Sequence, residues 1–163
     1  MKRPRRIVSG AQTGVDRAAL DVALELDIPC GGRVPKGRRD EKGRIPARYP
    51  GLEETATADW NERTEANVRD SDGTLILSRG RLTGGSKYTA EVAARLGRPW
   101  LHLDLAAVTV PEAARSAREW IDARDVGTLN VAGPRASKDP GLYELARRLL
   151  REVLTTPGRP LPG

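Results

Sequence analysis

The chain has 163 residues, of which 31% are charged and 4% aromatic, with no Phe, so its core must be built from Ala, Val, Leu and Ile. A single cysteine, Cys30, excludes an internal disulfide and a thiolate metal centre. A single histidine, His102, excludes a His-based metal cluster and argues against a Ser-His-Asp triad. The net charge of +6 favours anionic partners, phosphorylated small molecules or nucleic acid.

Mean hydropathy is -0.52, and no apolar stretch reaches bilayer-spanning length. The basic start "MKRPRR" runs straight into a strand-like run rather than a signal peptide, so no membrane association and a cytoplasmic location are expected.

In chain order, the apolar run 7–9 reads as a buried strand. It is followed by a helix whose stripe is Val15, Ala19, Val22 and Leu26. A weaker strand is expected at 32–34. Next comes the long basic loop "GGRVPKGRRDEKGRIPARYPG", stiffened by Pro35, Pro46 and Pro50. A helical pattern through "ADWNERTEANVRDSDG" puts Arg63, Asn67 and Asp70 on one face, with Trp60, Thr64 and Val68 on a neighbouring stripe. A strand at 74–78 precedes a helix over 86–96, with Ser86 as N-cap and Gly97 as its stop.

A strand at 100–103, a helix from Pro111 and a strand at 128–132 follow. The last helix is expected to start with Asp139 as N-cap and Pro140 at its first position. Strands alternating with helices of this length imply right-handed crossovers. The fold class is therefore α/β: one Rossmann-like, doubly wound domain over 1–156, with a mostly parallel sheet and helices on both faces. The Pro- and Gly-rich end, 157–163, reads as a flexible tail.

In such a sheet ligands collect at the strand-to-helix turns, where helix N-termini present free amides. Three turns carry suitable residues. In "SGAQTGVD", Gly10 and Gly14 allow close backbone approach, and Gln12, Thr13 and Asp16 offer hydrogen bonds, although Thr13 or Asp16 could equally serve the helix's first turn. The stretch matches neither the dinucleotide fingerprint nor the phosphate loop. In "SRGRLTGGSKYTAEVAARLG", Ser78 ends a strand, and Thr83, Gly84, Gly85 and Ser86 form a plausible phosphate cradle at a helix start. Glu91 lies further along that helix. In "NVAGPRASKDPG", Asn130 ends a strand beside Gly133 and Arg135, suited to a heteroatom edge and an oxyanion. The basic loop, with Lys36, Arg38 and Arg39, reads as an anion-binding flap.

The blocks "GAQTGVDRAALDVA", "VPKGRRDEKGRIPARYP", "ERTEANVRDSDGTLIL", "LTGG" and "NVAGPR" together resemble the molybdenum cofactor carrier proteins. These form a branch of the Rossmann-like SLOG superfamily, which also includes the lysine-decarboxylase-like nucleotide phosphoribohydrolases of the Lonely Guy type. The resemblance spans about 7–143. It implies a carrier that holds a molybdenum cofactor (molybdopterin) through its phosphate and pterin, hands it to a molybdoenzyme, and forms a homo-oligomer, a dimer or tetramer. No metal would be coordinated directly by the protein. The ligand cleft would involve Gly10 to Gly14, Gly84 to Ser86 and Lys36 to Arg39.

The alternative is a nucleotide phosphoribohydrolase or a nucleotide-sensing module. The hydrolase would use Glu91 as its catalytic carboxylate with Arg69 or Arg63 assisting. Against the hydrolase pattern P-G-G-x-G-T-x-x-E, this chain keeps Glu91 but has Leu82 and Thr83 before the glycines, and Lys87 and Tyr88 in place of Gly-Thr. Nucleic-acid binding through the basic loop is the least expected partner reading, because scattered aromatics provide no stacking platform.

Overall fold

A computed structural model describes residues 3–155. The elements in chain order are β1 (Arg6–Val8), α1 (Val15–Glu25), β2 (Cys30–Val34), β3 (Arg39–Asp40), β4 (Gly43–Arg44), β5 (Leu52–Glu54) and α2 (Trp60–Arg69). They continue with β6 (Gly73–Ser78), α3 (Gly84–Arg95), β7 (Trp100–Asp104), α4 (Val110–Arg124), β8 (Thr128–Ala132) and α5 (Leu142–Leu154). Six strands form one parallel sheet in the order β5-β2-β1-β8-β6-β7, and β3 with β4 makes a small antiparallel hairpin outside it.

A parallel sheet needs cover on both faces, and its central strands read as continuous apolar runs for that reason. Every residue of β6 is buried. Right-handed crossovers decide which face each helix takes. Steps toward the β5 edge use α1 and α4, while steps toward β7 use α2 and α3. Helix α5 packs between α1 and α4. That side carries the main core, including Leu20, Ile121, Leu149 and Leu150, each at most 1% exposed. The α2–α3 side has a smaller cluster of Val68, Val92 and Ala93, with Tyr88 against it.

The step from β2 to β5 has no helix. Its loop covers α1 with Ile45 and Tyr49, exposed by 1% and 2%, and Tyr49 Oη donates to Asp21 Oδ1 at 2.6 Å. Strand β8, the last in the chain, lies in the middle of the sheet. Read outward from β8, the strands run β1, β2, β5 in one direction and β6, β7 in the other. Helix α5 accordingly stands where a crossover helix from β8 to β1 would stand.

Several expected boundaries move. The last helix starts at Leu142 after Gly141, not at Pro140, and the Asp139 carboxylate is shared between the Arg79 guanidinium and the Gly141 amide. Helix α3 has Thr83 as N-cap, which places Ser86 inside its first turn, buried. The expected tail, 157–163, lies outside the described residues. Among those described, no helix is long and apolar enough to cross a membrane, and no group of three His, Cys, Asp or Glu side chains is placed to hold a metal ion.

Candidate functional site

Adjacent strands β8 and β6 send their chains to opposite faces of the sheet, which opens a crevice at their carboxyl ends. A cleft of about 90 Å³ occupies this switch point. Its walls are Gly10, Gln12 and Asp16 from the β1–α1 turn, one side of α2, the start of α3, and Asn130, Gly133, Arg135 and Lys138 from the β8–α5 turn. A second hollow of about 220 Å³ adjoins it, lined by Ser78, Arg79 and Arg81 and sharing Thr83, Ser86, Pro134 and Lys138 with the first.

At the cleft sits a buried cation. Arg63 is 7% exposed, and Nη1 donates to the Gly10 carbonyl at 2.7 Å. A Cβ on Gly10 would lie 2.3 Å from that nitrogen, so the glycine is there to let the guanidinium lie across the backbone. Arg63 forms no ion pair with a carboxylate among the described residues, which leaves most of its five donors for something else. Burial pushes its pKa down, and the charge of nearby Asp16 pulls it back up. Asp16 is itself buried, and desolvation lifts its carboxyl to about 6 against the opposing pull of Arg63.

Gln12 Oε1 accepts from the amides of Thr13 at 3.0 Å and Glu41 at 2.9 Å, and those two donors fix which end of the side chain is oxygen. The other end, Nε2, is buried without a partner, a costly state for a donor.

Two of the helices that meet the cleft are not closed by their own side chains. Neither Gly14 before α1 nor Thr83 before α3 makes a side-chain cap hydrogen bond. The opening amides of α3 therefore face the hollow with the positive end of the helix dipole behind them. Gly85, Ser86 and Thr89 line the cleft there, and the Lys138 ammonium reaches over Gly84. Asn130 Nδ2 donates to Thr74 Oγ1 at 3.2 Å from within the sheet. Asn67 borders the cleft, but both ends of its amide are engaged by the Arg33 backbone, at 2.7 and 3.1 Å.

Other expected site residues lie elsewhere. Arg38 is turned onto the carbonyls of Ile45, Pro46 and Tyr49, stabilising the loop, and neither it nor Lys36 or Arg39 lines a hollow. The acids of that loop do the reaching: Asp40 pairs with Arg17 at 2.5 Å. Glu41 accepts from Thr13 Oγ1 at 2.6 Å and from the Ser137 amide at 3.1 Å, and it pairs with Arg135 at 3.2 Å. Thr13 is thus held in this clasp and lines neither hollow.

Gly14 takes a positive φ of 84°, and a Cβ there would meet the Pro134 carbonyl at 2.5 Å. Its close neighbour is the protein's own β8–α5 turn. Ser78 Oγ donates to the Gly80 carbonyl at 2.6 Å and contacts His102 Nε2 at 2.7 Å, beside the second hollow. Arg69 pairs with neighbouring Asp70, and Glu91 is exposed on α3; the structure brings neither to the cleft.

The cleft is also lined by residues that sequence reasoning did not assign to binding: Trp60, Thr64 and Lys138. For α2 a signal was present, since Trp60 lies three positions before Arg63 and Thr64 three before Asn67, on one helical stripe.

The chain matches the circularly permuted YpsA SLOG family over residues 7–154, in keeping with a sheet whose middle strand comes last. No curated protein matches it. It superposes on the crystal structure of the "Putative molybdenum carrier protein" of Syntrophus aciditrophicus SB with a TM-score of 0.92 and 47% sequence identity, covering 94% of this chain and 98% of that one. A Rossmann-like sheet of this strand order, matched over nearly the whole chain, makes the protein a member of the circularly permuted YpsA branch of the SLOG family.

Proposed function

We propose that the protein binds a phosphorylated heteroaromatic small molecule in the switch-point cleft and carries it without transforming it, the cargo being a molybdopterin-type cofactor destined for a molybdoenzyme. The observation that carries this reading is Arg63: a buried guanidinium with one hydrogen bond and no carboxylate in direct contact, balanced only through space by Asp16, in the same cleft as the uncapped start of α3. A phosphate accepts from both kinds of donor, relieving a desolvated cation and open amides at once. The unpartnered Gln12 Nε2 adds a further donor on the cleft wall.

The 90 Å³ lobe is on the scale of an anion, and with the adjoining 220 Å³ the space reaches the lower end of small-molecule sites, about 300 Å³. The name of the similar Syntrophus protein supports the choice of cargo. Mass spectrometry of the small molecule released by denaturing natively purified protein tests the reading. A phosphorylated pterin is the expected result; a nucleotide would replace the cargo, and a molecule without an anionic group would overturn the site assignment.

A further inference from the structure

Four residues of α2 line the cleft, Trp60, Arg63, Thr64 and Asn67, at positions i, i+3, i+4 and i+7 of one helical stripe. The two ends of the stripe differ, with Trp60 40% exposed and Asn67 3%, and between them Arg63 is buried and Thr64 half-buried. An indole stands at the mouth, a guanidinium behind it and an amide at the inner end. The guanidinium carbon is 5.3 Å from the indole centroid, so a group bound to Arg63 has an aromatic face beside it.

Helix formation does not account for an exposed Trp at this place, because Asp59 already caps α2 by accepting from the Asn61 amide at 2.9 Å. At the inner end the free donor on the cleft wall, Gln12 Nε2, suits an anion as the Arg63 guanidinium does, while the α2 amide is already spent. Asn67 is engaged at both ends by Arg33, and Asn130 donates to Thr74.

We infer that the ligand enters with its anion leading and leaves its planar ring at the mouth, stacked on Trp60. This rests on the anion site proposed above and adds the orientation. The ligand class is then a planar ring joined to an anion by a short linker. The ring is selected for its face more than for its heteroatom edge, since stacking accepts any flat π-system.

Titration calorimetry with three probes tests this: 6-hydroxymethylpterin monophosphate, AMP and methyl phosphate. Wild-type protein should prefer both ring-bearing probes over methyl phosphate by about tenfold or more, and the two rings should differ by only a few-fold. Trp60→Ala should bring the ratio of ring-bearing to methyl phosphate affinity to about one, and Trp60→Phe should restore most of that ratio.

A preference that survives Trp60→Ala, or that disappears instead in Asn130→Ala, overturns the orientation. Loss of all three probes in Arg63→Met alongside an indifferent Trp60→Ala would leave the anion site standing and remove only this inference. Failure of the wild type to bind any probe would remove both.

Discussion

Helices α3 and α4 begin at the same rim of the sheet, after neighbouring strands β6 and β7, and their first turns are finished in opposite ways. At α4, Thr109 Oγ1 accepts from the Glu112 amide at 3.3 Å, and Glu112 Oε2 accepts from the Thr109 amide at 3.2 Å, with Pro111 alongside. The helix closes on itself. At α3, Thr83 sits in the extended conformation of an N-cap, with φ −139°, yet its side chain makes no cap bond, and two glycines follow. The difference separates a helix start closed by its own side chains from one whose first amides have no side-chain cap.

The largest expected effect comes from the cation that faces the open helix. Arg63→Met should weaken binding of a phosphorylated ligand by about a hundredfold, the scale of a lost charge-assisted hydrogen bond or two. Because the same change leaves the buried Asp16 without the cation that opposes its desolvation, thermal denaturation above about pH 6 should show a loss of stability that fades as the carboxyl takes up its proton. Calorimetric binding and melting curves, read side by side, check the two halves.

Next is Thr83→Asp, which would give α3 the closure that α4 already has. Its carboxylate should occupy the anion's place, lowering affinity at least tenfold, while the new cap raises stability by about 1 kcal/mol. An unchanged affinity would mean that the α3 amides are not the anion's donors.

Asp16→Asn probes the charge beneath the cleft. The folded carboxyl is raised to about 6, against an ordinary value near 4, so the folded state holds its proton more tightly than the unfolded chain. Stability from that proton is full below about pH 4 and lost as pH climbs through 6. Asparagine does not titrate, so the variant should gain on the wild type across that window, by about 3 kcal/mol at pH 8. Melting temperatures from pH 4 to 8 measure the gap, and a gap that shrinks with rising pH contradicts the assignment.

The smallest effect is at α4: Thr109→Ala should cost about 1 kcal/mol and lower the melting temperature by about 2–4 °C, with ligand affinity untouched.

Strands such as β6 announce themselves in the sequence, because burial on both faces demands an unbroken apolar run. Helix α1 shows equally well through its stripe. Strand β5 does not: Leu52, Glu53 and Glu54 form three residues at a sheet edge, with the two glutamates exposed. The hairpin of β3 and β4 has two residues per strand and no periodicity to read. Strand order is equally silent, since nothing local in 128–132 states that the last strand goes to the middle.

At the site, the glycine turns were legible as turns because glycine marks strand-to-helix bends, but what each one faces is set by tertiary packing: Gly14 abuts the protein's own Pro134 carbonyl. The basic loop misled for a physical reason: the density of Arg and Lys suggests contact with an anion, but a charge's partner is set by tertiary distance. Arg38 finds backbone carbonyls, whereas Asp40 and Glu41 find Arg17 and Arg135.

Glu41 ties the turn before α1 to the turn before α5, joining residues 28 and 96 positions away from it. One rim of the hollow is therefore girdled from outside, as a hoop holds staves, and its shape does not depend on the floor of the sheet alone. Replacing that single carboxylate would slacken two walls together, so a change outside the hollow can alter its shape without lining it.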